Sequence, residues 1–177
     1  MIRRRKVVLI GGEGPSELSF VAWLNDRAIE NGGRVAFQKI KCQAGNGYTV
    51  VKSAVEGFNA KQKDLGKIYG RFLLLDDDKW DGNKHLALRL ARENQISLII
   101  FKDNFEAFLG QLFAADPTLG PPRARAFLRQ HWNSYEKNSD KTALDQHRDT
   151  LLAGLTQYAR RDRALRELMM LCDFVIE

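Results

Sequence analysis

The feature that most restricts the fold of this chain is an apolar run that ends directly in three consecutive carboxylates. Phe72-Leu73-Leu74-Leu75 is typical of a strand buried on both faces, and Asp76-Asp77-Asp78 follows it without a spacer. Three like charges are costly to bury or to crowd, so such a group either stays solvated or is offset by a cation. The sequence therefore predicts a buried strand with charged chemistry at its end.

A second run of the same design lies near the N-terminus. Val7-Val8-Leu9-Ile10 leads into a glycine-rich turn, Gly11-Gly12-Glu13-Gly14, and Pro15 then suits the opening of a helix. The turn is neither a P-loop nor a dinucleotide fingerprint, because the required Lys and glycine spacings are missing. Carboxyl ends of parallel strands meet at one edge of a sheet, so the two acidic segments are expected to form one site.

Strand-like and helix-like segments alternate four times along the first two thirds of the chain. Strands are predicted at about 7–10, 35–40, 71–75 and 96–101, and helices follow each of them. Beyond the prolines of 117–122, helices are predicted at about 123–135, 142–157 and 160–171, with an apolar end at 174–176. The expected fold is α/β and Rossmann-like, with a mostly parallel sheet of about four strands. Residues 1–116 would form the core, and 117–177 a helical C-terminal extension packed on it.

Composition adds only broad limits. The formal net charge is +6, which suits either contact with nucleic acid or simple solubility. There is no run of about 20 apolar residues, so no membrane role is expected. The two cysteines, Cys42 and Cys172, have no metal-ligand spacing, and a reduced, cytoplasmic protein fits best.

The acids offer a metal site from three segments. Strand alternation predicts that Asp76 and Asp78 share one side, with Asp77 opposite, and such a pair suits Mg²⁺ or Mn²⁺. Glu13 is expected to be a metal ligand or a general acid/base, unless it only opens the helix together with Glu17. Glu106, after the fourth strand, is a further candidate ligand, with Asp103 a weaker one.

Neighbouring residues are assigned supporting parts. Gly12 and Gly14 would allow a close approach of substrate, and three lysines near the same sheet edge are candidates for phosphate contact: Lys79, Lys84 and Lys102. A lysine in a turn is more often only solvated.

Together these motifs resemble the Toprim domain, the metal-binding catalytic fold of topoisomerases, primases and OLD-type nucleases. The resemblance rests on Gly-Glu-Gly-x-x-Glu after the first strand, Asp-x-Asp after the third, and Asn104-Phe105-Glu106 before an apolar helix. It covers about residues 6–110 and is closest to the small RloB-like Toprim proteins of bacterial defence. Pro15 in the turn departs from the pattern, and Asp77 leaves open an arrangement of Asp77 with Asp81.

The resemblance implies specific roles. Glu13 would be the general acid/base or a metal ligand, Asp76 and Asp78 would coordinate Mg²⁺, Glu106 would be an additional acid, and Glu17 would support the site. It also implies a metal-dependent nuclease that prefers RNA to DNA and takes part in anti-phage defence, alone, as a homo-oligomer or with a partner ATPase.

Two other interpretations stay open. One is a non-catalytic module that binds nucleic acid or a partner ATPase, with the acids serving structure. The other is a flavodoxin-like or response-regulator-like phosphoacceptor, which requires a lone Asp after the third strand and a Lys after a fifth strand. No fifth strand is evident in the sequence.

Overall fold

The fold is a parallel sheet with helices on both faces. The computed structural model describes residues 5–132 and 141–174. The sheet has four strands in the order β2-β1-β3-β4, and every neighbouring pair is parallel. The strands are β1 Lys6–Gly12, β2 Val35–Lys41, β3 Ile68–Asp76 and β4 Ser97–Phe101. The predicted α/β class and its parallel sheet are thus confirmed.

The helices follow the strands in the expected alternation and then continue alone. The first four are α1 Pro15–Glu30, α2 Gly47–Leu65, α3 Lys84–Glu93 and α4 Phe105–Phe113. The later ones are α5 Pro121–His131, α6 Lys141–Asp145, α7 Arg148–Ala159 and α8 Arg163–Leu171. No helix among the described residues is long and apolar enough to cross a membrane.

Successive side chains of the central strands feed two separate cores. Val8 and Ile10 of β1 join an apolar cluster with α1, α4 and the C-terminal helices, whereas Leu9 joins a second cluster with α2 and α3. Leu128 of α5 and Leu168 of α8 belong to the first cluster, so these helices complete the layer on that face. This alternation is the reason that β1 and β3 read as continuous apolar runs.

The C-terminal helices differ in detail from the prediction. The segment expected as one helix over 142–157 is two helices, α6 and α7, which meet at Gln146 and His147. The His147 ring packs against Phe113 and Trp132, with ring centroids 4.9 and 4.7 Å away. The last helix begins at Arg163 rather than 160, because the Asp162 carboxylate caps it. Residues 133–135 and 175–176 of the predicted segments lie outside the described residues.

The strand order places a topological switch point between β1 and β3. The connection through α1 leads from β1 to β2 on one side, and the connection through α2 leads back to β3 on the other side. In open α/β sheets, ligands bind in the crevice at the carboxyl ends of the two strands where the order reverses. In this chain those ends carry Glu13 and the three consecutive aspartates.

Candidate functional site

Four carboxylates at and just beyond the ends of β1 and β3 interact electrostatically. Glu13 and Glu17 come from the turn after β1 and the first turn of α1, and Asp76 and Asp78 come from the end of β3. Glu17, Asp78 and Glu13 all act electrostatically on Asp76. We call these four residues the acid cluster. The structure thus brings together four of the acids that the sequence singled out.

Asp76 is the most perturbed member of the acid cluster. Its pKa is raised to about 7, first by burial and then by the charges of Glu17 and Asp78. Its Oδ1 atom is buried and has no hydrogen-bond partner. A buried, unpaired carboxylate oxygen is costly unless it is protonated or meets a cation. Asp76 therefore retains an unused capacity to bind a proton or a cation.

Glu17 has a structural role as well as a place in the acid cluster. It is the third residue of α1, and its carboxylate accepts from the backbone N–H groups of Gly14 and of Glu17 itself, as a capping glutamate does. A Cβ at position 14 would lie 2.5 Å from Glu17 Oε2, so Gly14 leaves the space for this carboxylate. Burial, and then Glu13, nevertheless raise the pKa of Glu17.

Lys79 is the cation that the structure places in the acid cluster. Its Nζ atom lies 3.3 Å from Glu13 Oε1, and the two side chains are 32% and 20% exposed. Burial acts to lower the pKa of Lys79, but Glu13, Asp78 and Asp76 outweigh it and raise that pKa. Among the residues that the structure describes, four carboxylates thus face the ammonium group of Lys79, which leaves the acid cluster with more negative than positive groups.

The three consecutive aspartates do not follow strand alternation. β3 ends at Asp76, and Asp77–Lys79 forms a single 3₁₀ turn, so the expected alternation of sides stops at Asp76. Asp77 instead lies 3.8 Å from Lys84 Nζ, with both groups about half exposed. The alternative ligand Asp81 caps the next turn, since its Oδ1 accepts from the Asn83 N–H at 2.9 Å.

The acids after β4 are already paired with arginines. Glu106 Oε1 accepts from Nη2 and Nε of Arg129 at 2.9 and 3.1 Å, and Asp103 forms an ion pair with Arg125. The charges that act most strongly on Asp76 do not include Glu106. We call these four residues the arginine-paired edge. Glu106 thus lies at the predicted edge of the sheet but is neutralised there by α5.

Glu106 owes its position to a well-defined helix start. Asn104 caps α4, because its side chain accepts from the Ala107 N–H at 3.0 Å. Asp103, before the cap, has a φ of 74°, a left-handed conformation that Asp adopts more easily than most residues. Neither Arg125 nor Arg129 was identified from the sequence. The only signal was a helix with three arginines and no acid, 20 to 30 residues after the end of β4.

The donor chemistry of the acid cluster fits a hard divalent cation, although a closed site is not formed. Among the described residues, no group of three or more His, Cys, Asp or Glu is arranged to hold a metal ion. The unpartnered Asp76 Oδ1 supplies one available oxygen, and Asp78 is exposed beside it. Mg²⁺ commonly binds through one or two carboxylates and keeps several waters. Asp76 and Asp78 supply two carboxylates of the kind that Mg²⁺ binds, whereas Glu106 lies in its own ion pair.

Two other features, a buried cysteine near the acid cluster and a cavity far from it, are weaker candidates for catalysis. Cys42, beneath the β1 turn, is buried, and burial raises the pKa of its thiol to about 11, so the thiol stays protonated near neutral pH. A cavity of about 810 Å³ lies at the opposite edge, around the amino ends of β3 and β4, where Arg71 and Ser97 line it. The acid cluster is therefore the better candidate for a catalytic centre.

No protein-family model, no curated protein and no solved structure matches this chain. Its function is therefore inferred from the site and from the motifs of its sequence.

Proposed function

We propose that this chain is a Mg²⁺-dependent phosphodiesterase that cleaves nucleic acid at the acid cluster. The observation that carries the proposal is Asp76: a half-buried carboxylate with one buried, unpartnered oxygen, at a topological switch point, among three further carboxylates. Such a concentration of negative charge is unfavourable unless a proton or a cation offsets it. The Toprim resemblance points to the same chemistry, with RNA favoured over DNA and a role in anti-phage defence.

Each residue of the acid cluster has its own role in the proposed cleavage. Asp76 and Asp78 would hold the ion, and Glu13 would transfer a proton or support the ion from the end of the neighbouring strand β1. When bound, Mg²⁺ (or Mn²⁺) supplies positive charge for a phosphate oxygen and makes a water molecule easier to deprotonate. Lys79, which now offsets Glu13, would contact either the phosphate or Glu13. A carboxyl group with a pKa near 7, as in Asp76, is also suited to proton exchange at neutral pH.

Cleavage of labelled RNA and DNA in Mg²⁺ or Mn²⁺ tests this proposal. Asp76→Asn and Glu13→Gln keep the shape of the side chains and should abolish cleavage. Asp77→Asn is the matched control, because it is adjacent but pairs with Lys84 outside the acid cluster. If Asp76→Asn cuts as fast as wild type while Asp77→Asn does not, the acid cluster is not the active site.

A second candidate is a non-catalytic module that binds nucleic acid or a partner ATPase. The Lys79–Glu13 ion pair favours it, because a lysine in the cluster can offset the acids without any metal. In that case neither Mg²⁺ nor Mn²⁺ would raise the melting temperature, and no variant would alter cleavage because none would occur.

A further inference from the structure

The cavity at the amino edge of the sheet lies where β3 extends beyond β4. β3 begins at Ile68, but the first of its residues that pairs with β4 is Phe72. Residues 68–71 therefore adjoin β1 on one side and, among the described residues, no strand on the other. The last turns of α2, α3 and α8 enclose this gap and leave about 810 Å³ open. Small-molecule sites commonly have volumes of about 300–1,000 Å³.

The cavity has exposed apolar walls. Tyr69 and Met170 line it, and they are 46% and 62% exposed. Among the described residues, the other exposed large apolar side chains are Leu86 and Leu88 of α3, which do not line this cavity. Exposed apolar groups that converge on one cavity indicate a binding site, whereas scattered ones do not. An aromatic ring and a thioether both favour contact with an aromatic ligand.

Arg71 supplies a positive charge inside the cavity. Its Nη1 atom donates to the carbonyl oxygen of Asn94 at 3.1 Å, and its Nη2 atom donates to the side chain of Gln62. Both acceptors are neutral, so these bonds orient the guanidinium group without offsetting its charge, and further N–H donors remain. The Lys67 ammonium group, 4.9 Å from the centre of the Tyr69 ring, adds a second cation beside the cavity.

The two acids that line the cavity are paired with other arginines. Glu93 Oε1 lies 3.2 Å from Arg89 Nε, and Glu167 Oε1 lies 3.0 Å from Arg163 Nε. Neither of these carboxylates is within 4 Å of Arg71 among the ion pairs of the described residues. The charge that remains available to a ligand in the cavity is therefore positive, and a guanidinium group binds carboxylate or phosphate through paired N–H donors.

We propose that this cavity is a separate ligand site and that it binds an aromatic anion. The ring of the ligand would contact Tyr69 and Met170, and its carboxylate or phosphate would accept from Arg71. The site lies at the amino edge of the sheet, so it does not depend on the cleavage proposed for the carboxyl edge. Mononucleotides and aromatic carboxylates share this chemistry, and competition experiments distinguish them.

Fluorescence titration of the full chain, without metal, tests the proposal. The probe is the anionic dye anilinonaphthalenesulfonate, and the uncharged phenylnaphthylamine is the comparison. Arg71→Met should weaken binding of the anionic dye by about tenfold and of the uncharged dye by less than about twofold, because only the first loses a charge-assisted contact. Met170→Gln with Tyr69→Ser should weaken both by about tenfold, because the apolar walls are lost. Leu86→Gln, on an exposed position outside the cavity, is the matched control and should change neither.

Salt dependence gives a measurement that needs no change at Arg71, which also holds the end of α3. Added salt should weaken binding of the anionic dye to wild type several-fold and leave the uncharged dye unaffected. If neither salt nor a folded Arg71→Met variant separates the two dyes, the anion site is overturned. If Leu86→Gln weakens binding as much as the change at Tyr69 and Met170 does, the cavity is not the site.

Competition for the bound anionic dye then identifies the kind of ligand. Displacement by adenosine monophosphate but not by naphthoate would identify a mononucleotide, and the reverse would identify an aromatic carboxylate. Displacement by neither, or equally well by inorganic phosphate, overturns the aromatic anion. Asp76→Asn should bind the dye as wild type does, so a failure of this site and a failure of the proposed cleavage are separate results.

Discussion

The acid cluster and the arginine-paired edge lie on neighbouring strand ends, yet they differ in how their carboxylates are paired with cations. At the arginine-paired edge each carboxylate has its own guanidinium, Asp103 with Arg125 and Glu106 with Arg129. In the acid cluster, four carboxylates face one lysine, and burial and repulsion raise the pKa of Asp76 to about 7. The arginines of α5 pair with the acids after β4, whereas Lys79 is the cation that acts on Asp76. The difference is the reason that we propose the acid cluster, and not the arginine-paired edge, as the cation site.

The largest expected difference between the two regions is in catalysis. Asp76→Asn should lower the cleavage rate by about 10³-fold, because a ligand or proton-transfer group is lost. Glu106→Gln should lower it by less than about tenfold, since Glu106 is held by Arg129. Initial rates on a labelled RNA measure both. Equal losses would mean that the two regions form one site, as the sequence predicts.

Metal binding should distinguish the regions next. Mg²⁺ or Mn²⁺ at 100 times its Kd should stabilise wild type by about 2.7 kcal/mol. Because Asp76 must lose its proton to bind the ion, the rise in melting temperature should be larger at pH 8 than at pH 6. Asp78→Ala should abolish this rise, and Asp103→Asn should preserve it. A rise that survives Asp78→Ala would move the ion elsewhere.

The pH dependence of stability gives a third comparison. Unfolded Asp76 releases its proton near pH 3.8 and folded Asp76 near pH 7, so between these values the folded state binds more protons. Stability therefore falls as the pH rises from about 4 to 7. Asp76→Asn lacks this fall and should exceed wild type by on the order of 2 kcal/mol at pH 8, but not at pH 4. Glu106→Gln should show no such gain in denaturant melts, and a gain there would contradict the contrast.

The smallest effects concern the cations themselves. Lys79→Gln removes the ammonium group from the acid cluster and should cost roughly 1 kcal/mol at pH 8, and less at pH 5, where Asp76 is protonated. Arg129→Gln, its counterpart, should cost less than about 1 kcal/mol at both pH values. Thermal melts at low salt measure both. If the stability losses of the two variants depended equally on pH, the protonation of Asp76 would not affect the contribution of Lys79 to stability.

The sequence predicted what depends on local pattern. Apolar runs identified β1 and β3, and their acidic ends identified Asp76 and Glu13, because strand burial and strand ends are written in consecutive residues. The roles of Glu106 and Asp77 could not be predicted from the local pattern. The role of Glu106 depends on its ion pair with Arg129. The position of Arg129 in turn depends on how α5 crosses α4 at Gly110. A 3₁₀ turn, not strand alternation, sets the surroundings of Asp77.

The placement of the acid cluster on β1 and β3 also has a consequence for local opening. These two strands are interior to the sheet, each bonded on both sides, so their backbone amides should exchange hydrogen most slowly. Helices α6 to α8 lie outside the sheet and should open more easily. The carboxylates of the acid cluster would then stay together while the surrounding helices open locally. The carboxyl group of Asp76, which exchanges its proton near neutral pH, would then follow directly on slowly exchanging backbone.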